Sequence, residues 1–215
     1  MDYRIGLNRR DFVSATGLVV GLVSLGAVVK LLPADVHLIR PPGGQDEDGF
    51  VALCTRCDRC RSICPTQAIA PARLEDGLLA VRSPKLDFRL GWCTFCGRCA
   101  EVCPTGALPS YKAECFEFAG LPDEVFCKTQ LKLGVAVINR DRCIAWAGPS
   151  VCTICSTKCP YQAITLDEYG RPLVDLDLCN GCGVCENLCP SSRLLSYQGG
   201  LRRGIEVSAL ETKGL

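Results

Sequence analysis

One phrase of cysteines, repeated four times in 215 residues, limits this chain more than any other feature. The first copy is Cys54-x2-Cys57-x2-Cys60-x3-Cys64-Pro65, and the second is Cys93-x2-Cys96-x2-Cys99-x3-Cys103-Pro104. The fourth is Cys179-x2-Cys182-x2-Cys185-x3-Cys189-Pro190. The third is stretched at its start, Cys143-x8-Cys152-x2-Cys155-x3-Cys159-Pro160, which places an extra loop with Trp146, Gly148 and Pro149 beside it. Sixteen of the 18 cysteines belong to these copies. Aromatic residues make up only 7%, so the ordinary apolar core is thin and something else must organise the chain.

The spacing is that of loops that ligate [4Fe–4S] clusters. Three cysteines at two-residue gaps let one loop wrap a cubane, with backbone N–H groups facing the sulfurs and offsetting their charge. The fourth cysteine lies a helical turn further on and reaches the neighbouring cluster. The proline after it cannot continue a helix and turns the chain away. Gly97, Gly181 and Gly183 fall where the backbone must pass close to the cluster. Structural zinc takes separated C-x2-C pairs or Cys/His mixtures, and a single histidine leaves few mixed sets. A disulfide framework has no reason to repeat one ligand phrase four times. The sequence therefore predicts four [4Fe–4S] clusters held by Cys54, Cys57, Cys60, Cys64, Cys93, Cys96, Cys99, Cys103, Cys143, Cys152, Cys155, Cys159, Cys179, Cys182, Cys185 and Cys189.

Every copy offers four thiolates, which leaves no iron open to a substrate. That favours electron relay over catalysis, so the chain reads as an electron-transfer subunit rather than an enzyme. The formal net charge of +1 gives no case for nucleic acid. Residues 34–215 hold 20 basic and 21 acidic side chains, and thiolate-bound clusters make this part more acidic still. Arg56, Arg59, Arg61 and Arg98, in or beside the first two motifs, are candidates to cover a docking face, or simply solubilising charge.

From residue 163 to 177, apolar and polar residues alternate about a Tyr169-Gly170 turn, a hairpin signal. The same grammar follows Cys64, with Asp76-Gly77 as the turn. Each half reads as cluster loop, short helix, hairpin, cluster loop. The fold class is α+β: two tandem two-cluster ferredoxin-like units behind one N-terminal transmembrane or signal helix. The expected divisions are a signal or anchor at 1–33, a linker at 34–50, a first unit at 51–110, a connecting segment at 111–139, a second unit at 140–198 and a tail at 199–215. Local pairing sets Cys54, Cys57 and Cys60 with Cys103, and Cys93, Cys96 and Cys99 with Cys64. It likewise sets Cys143, Cys152 and Cys155 with Cys189, and Cys179, Cys182 and Cys185 with Cys159. A nested arrangement, motif 1 with 4 and 2 with 3, is the alternative. Cys115 and Cys127, in the connecting segment, are left as buried thiols, as a disulfide or as ligands for something a partner adds. The tail, with Arg202 and Arg203, is either a flexible docking arm or a surface strand.

Residues 12–29 carry no charge, a length at the lower limit for a bilayer span and longer than the usual secretory apolar core. Arg9 and Arg10 stand just ahead of it. "NRRDFV" resembles a twin-arginine export signal, with Asn8 where Ser or Thr is usual and Val13 where Leu is usual. Clusters are built in the cytoplasm, so such a protein must leave folded. No small-x-small cleavage site follows, because Ala34 has Leu32 two residues before it. Residues 12–32 are therefore expected to stay as a membrane anchor. The arginines ahead of the run put the N-terminus in the cytoplasm and the cluster domain on the periplasmic side. His37 reads as an interfacial polar residue or as a neighbour of a quinone site.

With the "RPPG" segment Arg40 to Gly43 before the first motif and the third motif stretched, the chain resembles the NapG/MauM ferredoxin-type family over nearly all of its length. The resemblance implies a membrane-associated, periplasm-facing iron–sulfur subunit. It would pass electrons between a quinone-linked, quinol-oxidising membrane partner and a periplasmic redox enzyme, as in nitrate respiration. Some members are linked instead to methylamine dehydrogenase maturation, so an assembly factor for a periplasmic enzyme is the alternative. A third reading is an electron-input subunit on the cytoplasmic face. The second motif here is compact where some members widen it.

Overall fold

The computed structural model describes residues 38–119, 121, 125–148, 150–191 and 203–210, together with Thr16, Gly17 and Gly21. The chain divides into two compact units, Met1–Val36 and His37–Leu215. In the first, Thr16, Gly17 and Gly21 are helical. The rest of the expected anchor, with Arg9 and Arg10, lies outside the described residues, as do His37, Pro149 and Arg202. Among the described residues no helix is long and apolar enough to cross a membrane.

The second unit is a mixture of short helices and two-stranded antiparallel sheets. Its first half runs α1 (Glu47–Leu53), α2 (Arg59–Ile63), β1 (Ile69–Pro71), β2 (Pro84–Leu86) and α3 (Arg98–Glu101). Glu47 and Asp48 occupy the first turn of α1, where acidic side chains complement the helix dipole. β1 and β2 pair with Ile69 opposite Leu86, and both side chains are buried. Between them a 3-10 turn, Leu74–Asp76, ends at Gly77 with φ +108°, at the expected Asp-Gly turn. The Asp76 carboxylate accepts from the Arg73 backbone N–H and from the Lys85 ammonium, which closes this long loop.

The second half repeats the plan with α4 (Ile144–Ala147) and α5 (Ile154–Thr157) before β6 (Ile164–Leu166), β7 (Pro172–Val174) and α6 (Val184–Leu188). β6 and β7 pair with Ile164 opposite Val174 about the Tyr169-Gly170 turn.

Two further sheets lie outside the repeat. β3 (Glu114–Glu117) and β4 (Val125–Lys128) form a hairpin inside the stretch expected only to connect the halves, with Cys115 opposite Cys127 and Phe116 opposite Phe126. Cys115 and Cys127 are joined as a disulfide, one of the three roles left open. β5 (Gly134–Ile138) pairs with β8 (Ile205–Ala209), so part of the tail is a strand rather than a free arm.

The "RPPG" segment is stitched onto the first half. Arg40 is only 2% exposed, and a buried charge must be paired. Its guanidinium forks onto the Glu47 carboxylate, donates to Ser83 Oγ and the Pro84 carbonyl at 2.8 Å each, and lies over the Phe50 ring. The Leu86 N–H donates to the Ile39 carbonyl at 2.7 Å. The halves share one apolar cluster, in which Phe88 and Phe95 of the first join Val184 of the second. Tyr161 sits in an aromatic knot, edge-on to Phe95, Phe116 and Phe126 at centroid distances of 6.3, 5.8 and 6.3 Å.

Candidate metal centres

Three of the four motifs fold by one rule. The second residue after the first cysteine and the residue after the second cysteine are both left-handed. In motif 1 these are Arg56 (φ 57°) and Asp58 (61°), in motif 2 Phe95 (57°) and Gly97 (77°), in motif 4 Gly181 (76°) and Gly183 (84°). Each left-handed residue reverses the local curl, so the loop closes into a cup and its N–H groups turn inward. Two glycines here are obligatory for a second reason. A Cβ on Gly183 would fall 2.0 Å from the Phe88 ring, and one on Gly181 would fall 2.6 Å from the Gly134 backbone. A third left-handed residue recurs three positions after the fourth cysteine, at Gln67, Gly106 and Gln162.

Motif 3 departs from the rule. Its eight-residue gap holds the single turn α4, which begins directly after Cys143. The inserted loop is pinned by Trp146, whose indole N–H donates to the Pro172 carbonyl at 3.3 Å. Arg140 and Arg171 lie over the Trp146 ring, at 4.3 and 5.0 Å from its centroid.

The loops gather the sixteen predicted cysteines into four quartets. Cys54, Cys57 and Cys60 line one hollow with Cys103. Cys93, Cys96 and Cys99 line a second with Cys64, and Cys179, Cys182 and Cys185 a third with Cys159. In the fourth quartet Cys143, Cys152 and Cys189 all act electrostatically on Cys155. The pairing is thus local, each fourth cysteine crossing to the neighbour within its own half. Burial is graded: all four cysteines of the motif 4 quartet are buried, whereas Cys57 of the motif 1 quartet is exposed.

Burial sets the electrostatics of several of these sulfurs. Burial, with smaller contributions from neighbouring sulfurs, pushes the Cys60 thiol up to about 11 and those of Cys99, Cys155 and Cys182 up to about 12. Cys93 and Cys185 are raised well above the ordinary thiol value for the same reason. Such thiols ionise together only if positive charge is placed between them. Cys103 goes the other way: burial acts to raise it, but N–H groups of Leu108, Thr105 and Ala107 and the Thr105 hydroxyl outweigh that and lower it. Inward N–H groups recur elsewhere, from Ala136 to Cys179 Sγ and from Ala163 to Cys159 Sγ, each at 3.4 Å. Among the described residues, no three His, Cys, Asp or Glu converge as one metal ion would require.

One set of side chains escaped the sequence reading. Thr66, Thr105 and Ser191 each place a hydroxyl 3.5, 3.7 and 3.1 Å from the sulfur two residues before, in Cys64, Cys103 and Cys189. The signal was a hydroxyl residue directly after Cys-Pro, present at three of four sites. At the fourth the residue is Tyr161, whose hydroxyl turns away to donate to the Cys127 carbonyl at 2.9 Å.

The halves meet through their second loops. The Cys93 N–H donates to the Cys182 carbonyl at 2.8 Å, Leu133 N–H to the Asn180 carbonyl at 2.9 Å, and Asn187 Nδ2 to the Phe88 carbonyl at 2.9 Å. The quartets of motifs 2 and 4 are therefore inner neighbours, and those of motifs 1 and 3 lie beyond them.

Cups of left-handed turns that trade their fourth cysteine between neighbours define a ferredoxin-type iron–sulfur protein built for [4Fe–4S] clusters. The 4Fe-4S dicluster domain family matches residues 53–107 and 150–192. Over 194 residues the chain is 33% identical to the ferredoxin-type protein NapG of Escherichia coli, covering 84% of this chain and 78% of that protein. Over 205 residues it is 32% identical to the methylamine utilization ferredoxin-type protein MauM of Paracoccus denitrificans, covering 88% and 86%. The ferredoxin-type protein NapF of Escherichia coli is 31% identical over 161 residues, covering 73% and 82%. The chain belongs to the family of NapG and MauM ferredoxin-type proteins, and with its 4Fe-4S dicluster match it is a ferredoxin-type iron–sulfur protein of electron transfer.

Proposed function

We propose that this chain holds four [4Fe–4S] clusters on its sixteen motif cysteines, in the spatial order motif 1, 2, 4, 3. It relays single electrons along them between a quinone-linked membrane partner and an extracytoplasmic redox enzyme. When bound, the clusters supply one-electron exchange with little rearrangement. The chain's own residues do the rest. Four sulfurs occupy the ligand positions of each site, the motif 4 cup buries all four of its sulfurs, and inward N–H and hydroxyl groups temper the sulfur charge. The observation that carries this reading is the Cys93 to Cys182 backbone bond, which joins two ferredoxin-type pairs into one row.

The open end of the row is motif 1. There Cys57 is exposed, as are Arg56, Arg59 and Arg61 of the same loop and helix, and Arg98 is exposed beside motif 2. This basic rim fits a partner with an acidic docking face. The uncharged run 12–29 behind Arg9 and Arg10 supports anchoring at a membrane with the cluster unit outside the cytoplasm.

Two experiments test this. Iron per chain in the purified protein should be ~16, four per site, and Cys152→Ser should lower it to about 12. A wild-type count at the lower value removes the stretched site from the row. A reporter active only after export, fused after residue 45, should be active, and silence overturns the topology.

A further inference from the structure

The chain holds two cysteines out of the quartets and joins them across β3 and β4. We infer that the Cys115–Cys127 disulfide is a two-electron redox site in exchange with the two inner clusters, an inference that rests on the relay reading above.

The two ends of this disulfide live in different surroundings. Cys127 is 1% exposed and belongs to the same apolar cluster as Cys99 and Cys182. Its N–H donates to the Thr94 carbonyl at 2.9 Å, and Thr94 directly follows Cys93. Its carbonyl accepts from Tyr161, two residues after Cys159. One half-cystine is thus bonded to both inner cluster loops. Tyr161 stands where the other three sites place a hydroxyl on their own sulfur, so this position serves Cys127 instead of Cys159. Cys115 is exposed, so the same S–S bond opens to solvent at its other end.

The chemistry balances with the relay as reductant. Two electrons, delivered one at a time from the inner pair, break the S–S bond, and each sulfur takes one proton from solvent to give two thiols. Oxidation of the dithiol returns two electrons and two protons. The exposed Cys115 thiol is then placed to attack a disulfide of a partner protein. Cys127 would displace the mixed disulfide, leaving the partner as a dithiol and the hairpin oxidised. The substrate class is a protein disulfide.

The test uses the full cluster-loaded chain, reduced with methyl viologen radical under argon, with cluster bleaching followed in the visible. Acid quenching, alkylation and peptide mass then count labels on Cys115 and Cys127. The expected result is that both gain a label as the clusters bleach. In Cys96→Ser, which weakens the motif 2 site, labelling should lag. A second measurement that leaves every cluster cysteine in place uses Cys115→Ser with Cys127→Ser. Coulometric reduction of that loaded protein should take up two electrons fewer than wild type, with its visible spectrum unchanged. Bleached clusters with an intact disulfide, equal labelling rates in Cys96→Ser, or equal electron counts in the double variant each overturn the inference and leave the relay standing. Clusters that do not bleach overturn the relay itself.

Discussion

At the scale of single residues, the cluster loops depend on backbone signs more than on side chains. Gly183 must be left-handed and also leave room for the Phe88 ring, whereas the equivalent Gly97 has nothing within 4 Å of its missing Cβ. Asp58 occupies the same place in motif 1 with φ 61°, so a side chain alone is tolerated there. Gly97→Ala should therefore cost about 1 kcal/mol, and Gly183→Ala about 3 kcal/mol or more, because the ring clash adds to the torsional cost. Urea unfolding of the loaded proteins measures both, and equal losses would remove the Phe88 contact from the account. Arg40 is the other residue on which much rests. Arg40→Ala strands buried acceptors at Ser83 and Pro84, and should cost about 3 kcal/mol in the same assay, the low end for a broken buried pair because Glu47 can rehydrate. Arg40→Lys keeps the charge but loses the fork, and should recover only part of that loss. The sequence made the grouping of the sixteen motif cysteines and the left-handed glycines readable, since spacing and glycine both report local geometry. It did not reveal the left-handed Arg56, Phe95, Gln67 or Gln162, because at those positions the closing of the loop, not residue preference, sets the backbone.

At the scale of elements, legibility followed sequence distance. The hairpins β1–β2 and β6–β7 were readable from Asp76-Gly77 and Tyr169-Gly170, because a turn and its two flanking strands lie within one short window. The β5–β8 pair was not, because its strands come from opposite ends of the second half and no turn joins them. The β3–β4 hairpin was not legible either, because "ECFE" and "VFCK" carry no apolar and polar alternation to mark a strand. The first hairpin also carries the clearest pH signature away from the ligands. Burial acts to raise the Asp76 carboxyl, but Lys85 and the Arg73 N–H outweigh it and hold it below the usual carboxylate value. A lowered folded value means the ionised form stabilises the fold. That contribution is complete above the unfolded carboxylate value of about 3.9 and fades as pH falls through the lower folded one. Asp76→Asn should therefore lower the urea midpoint by a margin on the order of 1 kcal/mol. The margin should stay constant from about pH 8 to about pH 5. A gap that already closes between neutral pH and about pH 6 would place the effect on another group.

At the scale of the whole molecule, local pairing and the motif 2 to motif 4 contact make a row with two distinct ends. The chain enters at motif 1, crosses to motif 2, and then reaches the outer motif 3 site before doubling back to motif 4. Chain order and spatial order therefore differ. A nested pairing would have tied motif 1 to motif 4 directly and left no such row. Magnetic coupling between reduced clusters reads the difference, because it falls steeply with separation. In the fully reduced loaded protein, paramagnetic resonance should show broadened, split signals from the neighbouring pairs 1–2, 2–4 and 4–3. Disabling motif 2 through Cys96→Ser should simplify the motif 1 signal and leave the 4–3 pair coupled. Disabling motif 3 through Cys152→Ser should leave 1–2–4 coupled. If the first substitution instead uncouples motifs 3 and 4, the row runs in a different order. The same substitutions carry a functional consequence, because an interior break severs every path between the ends while an end loss shortens the row by one step. Electron transfer from a donor confined to the exposed Cys57 end to an acceptor at the Trp146 end should fail in Cys96→Ser. It should also fail in Cys182→Ser, even though each protein still binds iron at its remaining sites.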